Sequence, residues 1–351
     1  MPLRLIETEL SNMNTPGQVT SALRASPRQW LVTGAAGFIG SSLAEALLAA
    51  GQPVVGLDNL TTGKQENLAL LAKLGGKNWR FIGGDISDAA ICEAACSGVD
   101  VILHEAAQVS VPESMENPVA THAANTTGFM NLLLAARAAK VRRVVYASSC
   151  AVYGDSTRLP LSEDQPTQPL SPYAASKLAN EIYAGAFCRS YGMSAVGLRY
   201  FNVFGPRQDP NGVYAAVIPL WLSAMIAGRG ITIFGDGSTT RDYCHISNVI
   251  QANLLAATLD MSPGVHEVVN VAAGGRTSLN ELFEMLRGML VDEFPGLKAF
   301  APSYRPFRAG DIRHSQADIA KARQLLGYEP ACTVEQGLRN ALAWYRNPPS
   351  G

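Results

Sequence analysis

The sequence predicts an α/β protein with a doubly wound parallel sheet and a smaller C-terminal α/β lobe that carries substrate. Two observations predict it. Over the first 200 residues, apolar strand-like runs alternate with helical runs, and such alternation builds βαβ units whose sheet is covered on both faces. Past Asn202 the alternation gives way to the turns Gly205-Pro206-Arg207, Asp209-Pro210-Asn211-Gly212 and Gly235-Asp236-Gly237. That break marks a second lobe laid over the carboxyl edge of the sheet, where doubly wound folds bind ligands.

Composition agrees with a large buried core. Of 351 residues, 16% are charged and 47% hydrophobic, against about a quarter charged in an average domain. Lys+Arg 28 against Asp+Glu 29 gives a net charge of -1, so no global field draws nucleic acid or anionic lipid. No apolar run approaches the roughly 18 residues of a membrane span. Nucleic acid and membrane are therefore not expected as partners.

Taken in order, residues 1–27 read as a polar arm. Arg4, Glu7, Glu9, Arg24 and the turn from Asn12 to Gly17 leave no apolar stretch for a signal peptide. Trp30–Thr33 is the first expected strand and Ser41–Ala50 the first helix, with Leu43, Ala46 and Leu47 at helical spacing. Val54–Leu57, Arg80–Gly83 and Val99–His104 are apolar runs of strand length, and Asp88–Cys96 and Thr126–Ala139 are helical stretches. Arg143–Ser148 reads as a buried strand ending in hydroxyls. Pro172 suits the first turn of a helix over Tyr173–Tyr191, and Ala195–Arg199 is the next strand. The expected division is a cofactor domain of residues 28–200 plus roughly 241–262, and a substrate domain of 201–240 plus 263–351. Six cysteines, at 92, 96, 150, 188, 244 and 332, form no metal-ligand pattern. They read as reduced thiols of a cytoplasmic protein without a bound metal.

Two motifs carry chemistry. Thr33-Gly34-Ala35-Ala36-Gly37-Phe38-Ile39-Gly40 lies between a strand and a helix. Gly34 makes the tight exit, Gly37 admits a pyrophosphate to the backbone and Gly40 lets helix pack on strand. The helix N-terminus offers free N–H groups and a partial positive charge to phosphates. Asp58, at the end of the second strand, can accept both ribose hydroxyls and repels a 2′-phosphate, which selects NAD over NADP. Asp85 and Ile86, after the third strand, are placed to meet the adenine. The glycines mark a Rossmann-type dinucleotide site.

The second motif is Ser171-Pro172-Tyr173-Ala174-Ala175-Ser176-Lys177, which sets Tyr173 and Lys177 four residues apart on one helix face. With Ser149 at the carboxyl edge, they form a proton-transfer site for an alcohol undergoing oxidation. Lowering a tyrosine from its usual value near 10 by about three units costs about 4 kcal/mol. An ammonium about 5 Å away, at an effective dielectric near 20, supplies roughly 3 kcal/mol. A positive nicotinamide provides the rest, and Ser149 orients the substrate oxygen.

Residues 28–346 resemble the extended short-chain dehydrogenase/reductase family, and within it the nucleotide-sugar C4 epimerases, above all the branch acting on UDP-N-acetylglucosamine. The motifs that carry the resemblance are the glycine loop, Tyr146-Ala147-Ser148-Ser149-Cys150-Ala151-Val152-Tyr153-Gly154, Tyr173 with Lys177, Leu198 to Arg207, Arg241 to Ile246, and Arg308-Ala309-Gly310-Asp311. The resemblance implies Ser149, Tyr173 and Lys177 as catalytic residues. It places NAD against Gly34, Gly37, Phe38, Ile39, Gly40, Asp58, Asn59, Asp85, Ile86, Ala106, Ala107, Asn125, Tyr173, Lys177 and Tyr200. It places a UDP-sugar against Ser110, Ser149, Cys150, Asn202, Ala216, Val217, Ile233, Phe234 and Ser315, with Arg241 and Arg308 on the diphosphate and Asp311 on the uridine ribose. It further implies a homodimer in which Thr126–Ala139 and Tyr173–Tyr191 pair as a four-helix bundle, with Met130, Leu133 and Leu134 as a candidate outer face.

Related dehydratases and decarboxylases carry acids just before their version of Val152-Tyr153-Gly154. This chain has Cys150-Ala151, which cannot supply that acid, so hydride removal and return at one carbon remains. Galactose 4-epimerases carry a bulky tyrosine where this chain has Ser315, and a serine leaves room for an N-acetyl group at C2. The expected reaction interconverts UDP-N-acetylglucosamine and UDP-N-acetylgalactosamine. UDP-glucuronic acid, its N-acetylated counterpart UDP-GlcNAcA, and the UDP-glucose/galactose pair are the alternatives. A regulator that senses NAD without chemistry would usually lack the tyrosine or the lysine, and both are present.

Overall fold

A computed structural model describes residues 20–21, 23–211, 215–307 and 312–346. Seven strands form one sheet: β1 Trp30–Thr33, β2 Val54–Asp58, β3 Trp79–Gly83, β4 Val101–His104, β5 Arg143–Ser149, β6 Ala195–Tyr200 and β7 His266–Val271. All pairings are parallel, in the order β7-β6-β5-β4-β1-β2-β3. The chain winds one way from β1 and the other way from β4, so the switch point lies between these neighbours. Thr33 pairs with His104 there.

The strands read as near-continuous apolar runs because both faces are covered. α1 Phe38–Ala49 and α2 Gln65–Gly75 lie on one face, and α3 Ala89–Cys96, α4 Gly128–Ala138 and α5 Pro172–Tyr191 on the other. Every residue of β1 and β2 is buried. Local chemistry sets the ends of α5. Ser171 Oγ accepts the Ala174 N–H at 3.1 Å, Pro172 occupies the first turn, and Gly192 closes the helix at φ 69°, in left-handed backbone.

The second lobe has its own core. α6 Val217–Ile226, α8 Leu279–Leu290 and α9 Val334–Arg346 bury Trp221, Leu222, Phe283, Leu286 and Leu338 together with Phe204 and Tyr243. α7 Ile246–Thr258 returns between these elements to cover the sheet beside α1.

Two boundaries differ from the sequence expectation. Residues 263–271, assigned to the substrate lobe, include β7, the edge strand of the main sheet, in register with β6 from His266–Ala195 to Val271–Tyr200. Order also begins before Gln29: residues 20, 21 and 23–25 are helical, Leu23 is buried in the core, and its carbonyl accepts from Gln52 Nε2 at 2.9 Å. A short apolar anchor inside a polar segment carries little periodic signal, which is why these residues read only as a polar arm. Among the described residues, no helix is long and apolar enough to cross a membrane.

Candidate active site

Thr33, Asp58, His104, Ser149 and Tyr200 end five neighbouring strands, so their chemistry converges on one edge of the sheet. The glycine loop leaves β1 through Gly34 at φ 68°, and the Gly34 N–H donates to Leu57 O at 2.8 Å. A Cβ on Gly34 would meet Ala106 N at 2.8 Å, and one on Gly40 would stand 2.0 Å from Gly34 O. Both positions therefore require glycine. Gly37 caps α1, with no side chain bonded to the cap and no acid in the first turn. The first-turn amides of Phe38, Ile39 and Gly40 are thus available to an anion. Ala106 and Ala107 lie where the end of β4 meets this loop.

Asp58 is locked beside the loop. Its Oδ2 accepts from Ala36 N at 2.9 Å and its Oδ1 from Leu60 N at 2.7 Å. Asn59 Nδ2 donates to Asp85 Oδ2 at 2.6 Å. Burial pushes the Asp85 carboxyl up, but hydrogen bonds from Ser87 and Asn59 outweigh it and hold the group below its ordinary value. Ile86 is buried against Gly128 at the start of α4. A glycine cradle, free amides and a fixed carboxylate together fit a dinucleotide.

Lys177 Nζ donates to Ala147 O at 3.0 Å and lies 5.9 Å from the centre of the Tyr173 ring. Ser149 hydrogen-bonds Tyr173 and also caps the turn Cys150–Tyr153 through the Ala151 N–H at 3.2 Å. The three predicted catalytic residues therefore meet. The expected depression of Tyr173 does not arise from Lys177 alone. Burial pushes the phenol up to about 12, with the Ser149 hydrogen bond opposing and Cys150 and Glu105 adding to it. Burial of the lysine lowers its own proton affinity as well, so additional positive charge is needed for a phenolate at neutral pH.

Asn125 sits in a π-helical turn, Ala123–Thr127, in front of α4. Its amide accepts from Gln108 N at 2.7 Å and donates to Gln108 O and Ser176 Oγ, both at 2.9 Å. It ties the loop after β4 to α5 one residue before Lys177. A wider turn of this kind redirects side chains, and it explains why the helix expected from Thr126 starts at Gly128. Ser110, expected on the sugar side, uses its hydroxyl to cap the short helix Val111–Glu116.

On the opposite wall, Asn202 Nδ2 donates to Asp242 O at 3.1 Å and reaches Ser315 Oγ at 3.4 Å. The Asn202 backbone N–H bonds the Cys150 thiol, which burial pushes up to about 11 against the charge of Arg241. Cys150, which directly follows Ser149, is thus linked to Asn202, Arg241 and, through Asn202, Ser315. The Arg241 guanidinium donates to Thr240 O at 3.0 Å. Ile233 departs from expectation: its side chain is fully buried in the core of the lobe and presents no surface to a ligand, whereas Phe234 is partly exposed. Ala216 and Val217 open α6, and no hydrogen bond among the described residues links them to the Ser149 wall. Arg308 and Asp311 lie outside the described residues.

Four further groups, without a motif in the sequence to mark them, shape this site. Glu181, one turn beyond Lys177, takes Ser148 Oγ at 2.5 Å and Arg199 Nε and Nη2 at 2.9 and 2.7 Å, fixing α5 to β5 and β6. Asp242 accepts from Ala273 N and Ala317 N, each at 3.1 Å, and pins the segment carrying Ser315. Burial pushes its carboxyl up to about 7 against those backbone donors. Glu105 accepts from Tyr200 OH at 2.7 Å, and Asn253 donates to the same hydroxyl at 2.8 Å. A carboxylate directly after an apolar strand, and another at helical spacing from Lys177, were the available signals. Among the described residues, no cluster of three or more His, Cys, Asp or Glu is placed to hold a metal ion.

Comparison with known proteins places the chain among sugar-nucleotide enzymes. Residues 30–272 match the model of the NAD dependent epimerase/dehydratase family. A UDP-glucose 4-epimerase of Mycolicibacterium smegmatis is 40% identical over 321 residues, covering 90% of this chain and 98% of that protein. The structure of a UDP-N-acetylglucosamine 4-epimerase from Methanobrevibacter ruminantium, in complex with UDP-N-acetylmuramic acid, superposes with a TM-score of 0.84 at 37% identity, covering 91% and 98% of the two chains. MoeE5, in complex with UDP-glucuronic acid and NAD, superposes with a TM-score of 0.78 at 32% identity, covering 91% and 99%.

Proposed function

This chain belongs to the NAD-dependent epimerase/dehydratase family, and on that premise we propose that it is a UDP-sugar 4-epimerase whose preferred pair is UDP-N-acetylglucosamine and UDP-N-acetylgalactosamine. The choice of sugar is supported by Ser315, a small side chain buried beside Asn202 at the position that matches the bulky tyrosine of galactose 4-epimerases. UDP-glucose and the uronic acids are the competing substrates.

Tyr173, as phenolate, takes the proton of the sugar 4-OH, and Ser149 donates to the same oxygen and holds it. Lys177, an ammonium fixed by Ala147 O, favours the phenolate. NAD, when bound, supplies the acceptor and donor of the C4 hydride and further positive charge near Tyr173. The 4-keto sugar turns about its diphosphate, which Arg241 and Arg308 retain while Asp311 holds the ribose. Tyr173 then returns its proton to the oxygen on the inverted carbon. No carboxylate occupies positions 150 and 151 to drive elimination. Because the cofactor is regenerated in each cycle, retention favours turnover. The test is conversion of UDP-N-acetylglucosamine by purified protein with no cofactor added.

The same reading includes a homodimer through α4 and α5. Leu134 and Ile182 expose 46% and 63% of their surfaces on these helices, and Met115 and Val119 stand exposed on the short helices Val111–Glu116 and Pro118–His122. The outer face is narrower than the sequence suggested, because Leu133 is buried under the sheet and Met130 packs against the same core. Sedimentation at micromolar concentration is expected to give twice the chain mass; a monomer would contradict the dimer and leave the epimerase reading intact.

A further inference from the structure

Residues 205–211 reach from the second lobe back to the cofactor domain, through contacts that no step of the reaction uses. They follow the short strand Val203–Phe204, which pairs in parallel with Cys244–His245, and Phe204 is buried in the core of the second lobe. The segment is braced from behind. Gln208 Nε2 donates to Val203 O at 3.1 Å, and the Tyr345 hydroxyl on α9 donates to Gln208 O. From this base two side chains cross to the other domain. The Arg207 guanidinium pairs with Glu45 on α1, and only 12% and 4% of the two side chains are exposed. Arg207 makes this contact from φ 71°, left-handed backbone that a side chain disfavours. Its Nη1 is buried with no hydrogen-bond partner among the described residues, so its pairing rests on Glu45. Two residues on, Asp209 Oδ2 lies 2.6 Å from Lys64 Nζ, and Asp209 Oδ1 accepts the Asn211 N–H at 2.8 Å. This second pair is exposed.

We propose that residues 205–211 form a strap that retains NAD, with Glu45, Arg207, Lys64 and Asp209 as its positioning residues. The inference rests on the reading that this chain keeps its cofactor through turnover. What the strap holds is the rim of the dinucleotide site. Residues 59–64 join Asp58 to α2 and are tied to that site at both ends. At one end Asp58 Oδ1 accepts the Leu60 N–H at 2.7 Å, and Asn59 bonds Asp85. At the other, the Lys64 N–H donates to Ala36 O of the glycine loop at 3.0 Å, and Asn67 Nδ2 donates to the same oxygen at 2.8 Å. Between them Gly63 is pressed so close that a Cβ on it would stand 2.6 Å from Ala36 Cβ and 2.7 Å from Asp58 Oδ1. Lys64 therefore closes the segment that flanks Asp58, and Glu45 lies on the helix whose first-turn amides are open to phosphates, about two turns further along. One strap grips both flanks of the glycine loop. It keeps them from parting, which is the motion that would release a dinucleotide held between them. The buried pair is the stronger of the two bolts, because removing one partner strands a charge away from water. The exposed pair adds less.

The test is the exchange of resident NAD for isotope-labelled NAD in the folded holoprotein, followed alongside thermal melting and turnover. Glu45→Gln should speed exchange by about tenfold, since Arg207 then loses its buried partner. Asp209→Asn should speed it by about threefold, the scale of an exposed pair. Arg207→Gly removes the guanidinium and suits the left-handed backbone. It should exchange as fast as Glu45→Gln, and it carries the test should that variant fail to fold. None of these side chains acts on the sugar, so turnover at saturating NAD should stay at the parent level. Faster exchange at unchanged turnover supports the strap. Exchange at the parent rate in the folded variants, even with a lowered Tm, would make the ion pairs merely structural and overturn the proposal. A parent purified without NAD would instead overturn the reading of a retained cofactor, so the two failures are distinguishable.

Discussion

Tyr173→Phe is expected to lower kcat for 4-epimerisation by about 10³-fold, the middle of the range for loss of a positioned general base, while UDP-sugar affinity stays unchanged. The ring remains and only the hydroxyl is lost, so the packing of α5 against β5 is preserved. Ser149 hydrogen-bonds this hydroxyl, which in the proposed mechanism takes the 4-OH proton. Burial holds that phenol up near 12 in the chain by itself, so activity depends on every positive charge around it. Turnover and calorimetric binding of the UDP-sugar check the prediction together. A variant within tenfold of the parent would remove Tyr173 from the mechanism. A variant that has lost binding as well would point to a disturbed pocket.

Ser315→Tyr is expected to lower activity on UDP-N-acetylglucosamine at least tenfold, which requires only about 1.4 kcal/mol at the transition state, and to spare UDP-glucose. The segment around Ser315 is pinned on both sides. Ser315 N donates to Thr240 O at 3.1 Å, and Ala317 N donates to Asp242 Oδ2 at the same distance. With the backbone held there, the new ring is expected to project toward Asn202 and, on the proposed reading, to fill the space taken by the C2 substituent. Exclusion in a packed wall discriminates more strongly than added contacts. Parallel initial rates on the two sugars separate the outcomes. Selective loss supports gating at C2, equal loss on both indicates a damaged fold, and full activity on both would remove Ser315 from the pocket.

The parts of this account legible in the sequence are those whose chemistry is local. The glycine loop and the Tyr173–Lys177 pair each lie within one turn or one helix, so spacing fixes their geometry, and Asp58 ends the strand that follows the loop's helix. Ser149 could be placed because a buried strand delivers its last residue to the carboxyl edge. Glu105, Asp242 and Asn253 were not legible, since each acquires its role from partners 95, 75 and 53 positions away. β7 was assigned to the wrong lobe because His266–Val271 follows a turn-rich region, and only its pairing with β6 shows which sheet it joins. Ile233 was misplaced for a related reason: resemblance aligns a position with a ligand, but packing decides which of two neighbouring side chains faces it.

The most direct test of the central claim is turnover by freshly purified protein, with UDP-N-acetylglucosamine as sole substrate and no nicotinamide cofactor added. UDP-N-acetylgalactosamine is expected to accumulate to an equilibrium ratio, faster than epimerisation of UDP-glucose or of either uronic acid, and denaturing the protein is expected to release NAD. Absence of the C4 epimer with every UDP-sugar, or a requirement for stoichiometric NADPH, would contradict the claim.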